Sequence, residues 1–248
     1  MKIVAIGGGE IGRPGTKIET ESIDREIVKL TGKAHPKLLF IPTASGDDES
    51  YYQVIQNYYG KRLGCNTDVL YLIKTTPSRN EIRNKVLNSD IIYVGGGNTL
   101  RMLKLWRKCG LDNILKEAHE RGVVLAGISA GAICWFRYAN SDSLKFSDSR
   151  NPLIKLKSLD FIPLMACPHY DTEKTRRPSL RKMIKEKGGI SIALENCSAI
   201  EINNGQYRVL ISSKNANVFK VYRQNKKVIE DELPKDGKYR PLKELLIN

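Results

Sequence analysis

Short unbroken apolar runs alternate along this chain with stretches whose apolar residues recur every three or four positions. Lys2 to Ile6, Lys37 to Ile41, Asp68 to Leu72, Asp90 to Val94 and Val123 to Gly127 are of the first kind. Continuous aliphatic runs of strand length are what a parallel sheet covered on both faces requires. Between them, Ile23 to Leu30 carries Ile23, Ile27, Val28 and Leu30 at helical spacing. Tyr51 to Leu63 and Leu111 to His119 follow the same rule, as does Asn80 to Leu87 after the start signal Thr76-Pro77-Ser78. Such alternation predicts a doubly wound, mainly parallel α/β sheet flanked by helices.

Beyond about residue 185 the pattern changes. Ile190 to Leu194, Ser198 to Ile202, Gln206 to Ile211 and Val218 to Tyr222 read as short strands. The turn chemistry of Asn203-Asn204-Gly205 and of Ser212 to Asn217 separates the last three, which predicts a small antiparallel extension near the C-terminus. No linker or repeat interrupts the chain, so residues 1–248 are expected to form one domain.

Composition narrows the function classes. No apolar run approaches the roughly 20 residues of a membrane span. The apolar stretch after Met1-Lys2 is too short for a secretory signal, so a cytoplasmic location is expected, with no membrane partner. The five cysteines, Cys65, Cys109, Cys134, Cys167 and Cys197, are scattered and never form Cys-x-x-Cys. That argues against a disulfide framework or a zinc site. The net charge of +14 is spread along the chain and mixed with acidic residues, so nucleic acid is not an expected partner. A positive field could instead draw in acidic substrates.

The chemistry concentrates at Gly127-Ile128-Ser129-Ala130-Gly131, between the strand ending at Ala126 and a helical pattern over Ala132 to Tyr138. Gly-x-Ser-x-Gly in that context is a nucleophile elbow: a sharp turn exposes the serine hydroxyl, and only small neighbours avoid clashes. The hydroxyl also lies at a helix start, where free N–H groups favour developing negative charge.

Such a serine needs a base, and the chain holds three histidines. His119 sits late in a helical run and reads as a surface residue, while His35 precedes a strand. His169, in Cys167-Pro168-His169-Tyr170-Asp171, follows the apolar run Phe161 to Cys167. It therefore falls at the strand edge where open α/β sheets place their sites. Asp142, Asp148, Asp160, Asp171 and Glu173 are all candidates to orient it.

A second glycine cluster, Gly95-Gly96-Gly97-Asn98, lies between a strand and a helix. It would let a backbone N–H join that of Ala130 in an oxyanion hole. The cluster Gly7-Gly8-Gly9-Glu10-Ile11-Gly12 formally matches a dinucleotide fingerprint. However, Arg13-Pro14-Gly15 follows at once, and the second strand carries no acidic residue at its end.

Together, Gly95-Gly96-Gly97-Asn98, Gly127-Ile128-Ser129-Ala130-Gly131 and Pro168-His169, in this order, resemble the peptidase E (aspartyl dipeptidase) and cyanophycinase family over roughly residues 1–225. The resemblance implies a class I glutamine amidotransferase-like fold, with Ser129 as nucleophile and His169 as base. It also implies Gly97 and Ala130 as oxyanion donors and Asp142 as the third triad member. Gly96, Asn98 and Arg176 are the expected substrate contacts, and no cofactor or metal is implied. The expected function is a serine peptidase acting on small peptides, with an N-terminal Asp as a candidate preference and a homodimer as a candidate assembly. The alternatives are a cyanophycinase-like or other serine amidase or esterase, and a non-catalytic nucleotide-binding module.

Overall fold

The apolar runs of the N-terminal half build one sheet from β1 (Lys2–Ile6), β2 (Lys37–Ile41), β3 (Asn66–Val69), β4 (Ile91–Val94) and β5 (Val124–Ile128). In this computed structural model, which describes residues 1–247, they lie in the order β3-β2-β4-β5-β1, and every neighbouring pair is parallel. Their alternate faces are both covered. Val4, Ile6, Phe40, Tyr93 and Ala126 pack on one side; Ile3, Ala5, Leu39, Ile92 and Leu125 pack on the other.

Helices α1 (Glu21–Lys29), α2 (Glu49–Ile55), α3 (Arg79–Leu87), α4 (Thr99–Cys109) and α5 (Leu111–Glu120) fill the connections. The Asp48 carboxylate caps α2 by accepting from the Ser50 and Tyr51 amides. The same helix continues in π-helical turns over Gln56–Arg62. Ser78 and Glu81 close a capping box on α3, as the start signal there implied.

The later elements are α6 (Ala130–Ile133), β6 (Phe136–Ser141), β7 (Ile154–Lys157), β8 (Ile162–Cys167), α7 (Arg176–Lys187), β9 (Ile190–Leu194), β10 (Ser198–Asn203), β11 (Gln206–Ile211), β12 (Val218–Gln224), β13 (Lys227–Glu232), β14 (Arg240–Pro241) and α8 (Lys243–Leu246). β10 adds antiparallel to β1, followed by β11 and β14. This is the expected extension. β9 and β12 do not join it, but belong to a second sheet in the order β13-β12-β9-β8-β6-β7. One core cluster joins the two sheets, since Ile3 and Leu125 share it with Trp135, Ile162, Ile192 and Val218. Among the described residues, no helix is long and apolar enough to cross a membrane.

Two local expectations differ from the structure. The third strand ends at Val69 because the buried carboxylate of Asp47 accepts from the Leu72, Ile73 and Lys74 amides and bends the chain away. The helix after the elbow lasts one turn rather than reaching Tyr138. The carbonyls of Cys134, Trp135 and Phe136 are captured instead by the Leu159, Ile162 and Asp160 amides, which turn the aromatic run into β6.

Candidate active site

Ser129 stands between β5 and α6 with φ 54° and ψ −112°, a backbone conformation rarely adopted by a residue with a side chain. Its surroundings hold it there. Its N–H donates to the Ile6 carbonyl at 3.0 Å, and its own carbonyl accepts from the Ala132 and Ile133 amides at 3.0 and 3.1 Å. The turn tolerates no bulk on either side. A Cβ on Gly127 would lie 2.4 Å from the Gly131 carbonyl oxygen, and one on Gly131 would lie 2.0 Å from that of Val94.

His169 follows β8 in the second sheet, also at positive φ (50°). Its N–H donates to the Gly7 carbonyl at 3.2 Å, and the next amide, that of Tyr170, donates to the Leu194 carbonyl at 3.0 Å. The ends of β1, β8 and β9 therefore set the position of the imidazole. Its Nε2 lies 2.9 Å from Ser129 Oγ, and both side chains are part-buried. On the other side of the ring, Nδ1 lies 2.8 Å from Asn196 Oδ1. An amide oxygen can only accept, so Nδ1 carries the proton and Nε2 offers its lone pair to the serine hydroxyl. The Asn196 backbone N–H in turn donates to the Asp171 carboxylate at 2.9 Å.

Asp142 does not reach the imidazole. Its carboxylate lies 3.2 Å from the Arg176 guanidinium. The other carboxylates that spacing left open are engaged elsewhere: Asp148 with Arg150, Asp160 with Arg137, and Glu173 with Arg176. Arg176, expected to face substrate, is 1% exposed and also donates to the Asn140 carbonyl at 2.8 Å. All its charge and donor capacity on these partners is internal. Asn98 likewise serves the fold. Its Oδ1 caps α4 by accepting from the Arg101 amide, and its Nδ2 donates to the Ser143 carbonyl.

Gly96 and Gly8, in contrast, lie against the Ser129–His169 pair. A Cβ on Gly96 would lie 3.4 Å from Ser129 Cβ and 3.8 Å from its Oγ. Gly97, at φ 135°, passes so close to Ala44 that a Cβ would sit 2.3 Å from the carbonyl oxygen. Ala130 opens α6, where an amide has no intrahelical acceptor. Gly8 backs the imidazole, and a Cβ there would lie 2.0 Å from Asn196 Oδ1 and 2.5 Å from His169 Nδ1. The fingerprint-like glycines thus serve close packing. No helix opens after them before Glu21.

A cavity of about 370 Å³ adjoins the serine across Gly96 and is lined also by Arg13, Ser45, Asp48, Tyr51 and Asn57. Arg13 pairs with Glu10, and this hydrogen bond holds the Glu10 carboxyl below its ordinary range. Burial pushes the Tyr51 phenol up to about 12, so it stays protonated at neutral pH. Sequence reasoning missed Asn196, Gly8 and Arg13. The candidates for a third member were carboxylates between the elbow and the segment just past His169, whereas Glu195-Asn196-Cys197 lies past a further helix and strand.

The strand–serine–helix turn and the histidine beside it, carried on a mixed α/β scaffold with a central parallel sheet, define a hydrolase-type site. The sequence matches the family model for peptidase family S51 over residues 3–210. The chain belongs to that family, and it is a peptidase of the hydrolase class. It is 39% identical to the uncharacterized peptidase YgaJ of Bacillus subtilis over 237 residues, covering 94% of this chain and 97% of that one. It is also 24% identical to peptidase E of Streptomyces coelicolor over 211 residues, 80% and 81% of the two chains. A crystal structure of a peptidase from an acI-B1 actinobacterium superposes with a TM-score of 0.72 at 19% identity, covering 97% of this chain and 96% of that one. That likeness is one of fold.

Proposed function

We propose that the chain is a serine peptidase hydrolysing short peptides, with Ser129 as nucleophile and His169 as general base. The observation that carries this reading is the 2.9 Å approach of Nε2 to Oγ at a strained turn. His169 takes the proton as Ser129 attacks the scissile carbonyl, then returns it to the leaving amine. Water, activated by the same imidazole, releases the acyl group. The amides of Gly97 and Ala130 hold the oxyanion, each such donor being worth about 3 kcal/mol. The cavity across Gly96 takes the residue on the acyl side of the cut bond. Arg13 at its rim gives Nε and Nη2 to Glu10, and its Nη1 edge supports a preference for an acidic residue there, such as an N-terminal Asp, through charge-assisted hydrogen bonding. A dipeptide-library assay with wild type and Ser129→Ala tests the reading, together with labelling by a fluorophosphonate, which only an activated serine attacks. Full turnover by the alanine variant would end it.

A further inference from the structure

We propose that Asn196 is the third member of this site, a neutral positioning residue that holds His169 in its Nδ1–H tautomer and is itself held by Asp171. The inference rests on the reading of Ser129 and His169 as the working pair. A positioning group must accept a hydrogen bond from Nδ1, and the Asn196 side-chain oxygen lies 2.8 Å from it. It must also be fixed in place. Asp171 accepts from its backbone amide at 2.9 Å, and the imidazole and the side-chain oxygen both pack so closely on Gly8 that a Cβ there would collide with each.

An amide differs from a carboxylate in one respect that matters here. It selects the tautomer but places no full charge against the imidazolium that forms during attack. The ionisable groups near the pair are more distant or already committed. Asp171 is exposed and faces the Asn196 amide rather than the ring. Glu195 accepts from the Asn217 amide, and burial raises its carboxyl. On the segment after β1, Glu19 accepts from the Glu10 amide and Glu10 holds Arg13. Beneath β8, Asp142 and Glu173 share Arg176.

The test compares wild type, Asn196→Ala and Asn196→Asp by steady-state kinetics across pH and by 15N NMR of the histidine ring nitrogens. With three histidines in the chain, His169→Gln assigns the signal. Neutral His169 is expected as the Nδ1–H tautomer in wild type and as predominantly Nε2–H in Asn196→Ala. The alanine variant should lose roughly 10²-fold or more in kcat at nearly unchanged KM, since a mis-set catalytic group costs at least that much. Asn196→Asp keeps the acceptor and should retain activity. Its added charge favours the imidazolium, so the acidic limb of its kcat/KM profile should move up by about one pH unit or more. Wild-type kcat and tautomer in Asn196→Ala, or an unmoved profile in Asn196→Asp, would overturn the positioning role while leaving Ser129 and His169 untouched. Failure of the peptidase reading appears separately, as hydrolysis by Ser129→Ala, and the NMR arm reports on Asn196 regardless.

Discussion

The guanidinium of Arg176 lies 3.2 Å from the carboxylate of Asp142 and is almost wholly buried. It binds Glu173 as well, so one cation is shared by two carboxylates where the start of α7 meets the end of β6. The resemblance had given these two residues separate roles, one orienting the histidine and one reading the substrate. They are instead each other's partners.

Removing that cation strands two carboxylates and the Asn140 carbonyl. The arginine is buried but its carboxylates are 27% and 37% exposed, so solvent takes up part of the stranded charge and Arg176→Ala should cost about 2 kcal/mol of stability, less than a fully buried pair would. Arg13→Ala, at an exposed position, should leave stability nearly unchanged but raise KM for substrates with an acidic first residue relative to neutral ones. Urea titrations and KM ratios for paired dipeptides read the two effects apart. A selective KM effect in Arg176→Ala, with no loss of stability, would reverse the assignment.

The strain at Ser129 predicts an opposition between stability and activity. A residue held in this backbone region costs of order 1–3 kcal/mol, and glycine carries almost none of that cost. Ser129→Gly should therefore be inactive but melt at a higher temperature than Ser129→Ala. Equal melting temperatures would show that the elbow stores no strain.

Gly8 touches no substrate on this reading, yet its substitution should reach the chemistry. A methyl group there would occupy the space of Asn196 Oδ1 and press on His169 Nδ1. Displacing a catalytic group by an ångström can cost about 10²-fold in rate. Gly8→Ala should show a fall in kcat of that order. The variant at Gly60, whose φ is not positive and where a Cβ would meet nothing closer than 3.5 Å, serves as the control.

Asp24 predicts a pH dependence of stability. It is fully buried on α1, accepting from Thr20, Tyr58 and Tyr59, and burial pushes its carboxyl from 3.8 up to about 6. A carboxyl with a raised folded-state value keeps its proton in the native protein after the unfolded chain has lost it. Stability from this group therefore falls as pH rises from about 4 to about 6 and stays lower above that, by up to about 3 kcal/mol. Asp24→Asn should flatten this slope. Unfolding free energies at pH 4.5 and 7 check the sign.

Much of the sheet was legible because buried parallel strands must be nearly continuously apolar, and β1, β2, β4 and β5 are. The aromatic run after the elbow was less legible. Trp135, Phe136 and Tyr138 fit a buried helix or a strand equally well, and the hydrogen bonds that decide between them come from residues 159–162. The split into two sheets escaped the pattern for a similar reason. Strand periodicity reports which face is buried, not which neighbour supplies the partner.

The chain alone determined the elbow, since the positions two residues either side of the serine, Gly127 and Gly131, have no room for a side chain in that turn. It also singled out His169, because few histidines compete and one follows an apolar run. Tertiary structure decided what stands behind the imidazole and what Arg176 binds. Those are pairings between segments far apart along the chain, settled by where β1, β8 and β9 end in space. A side chain's local sequence carries no record of the group it will meet across such a gap.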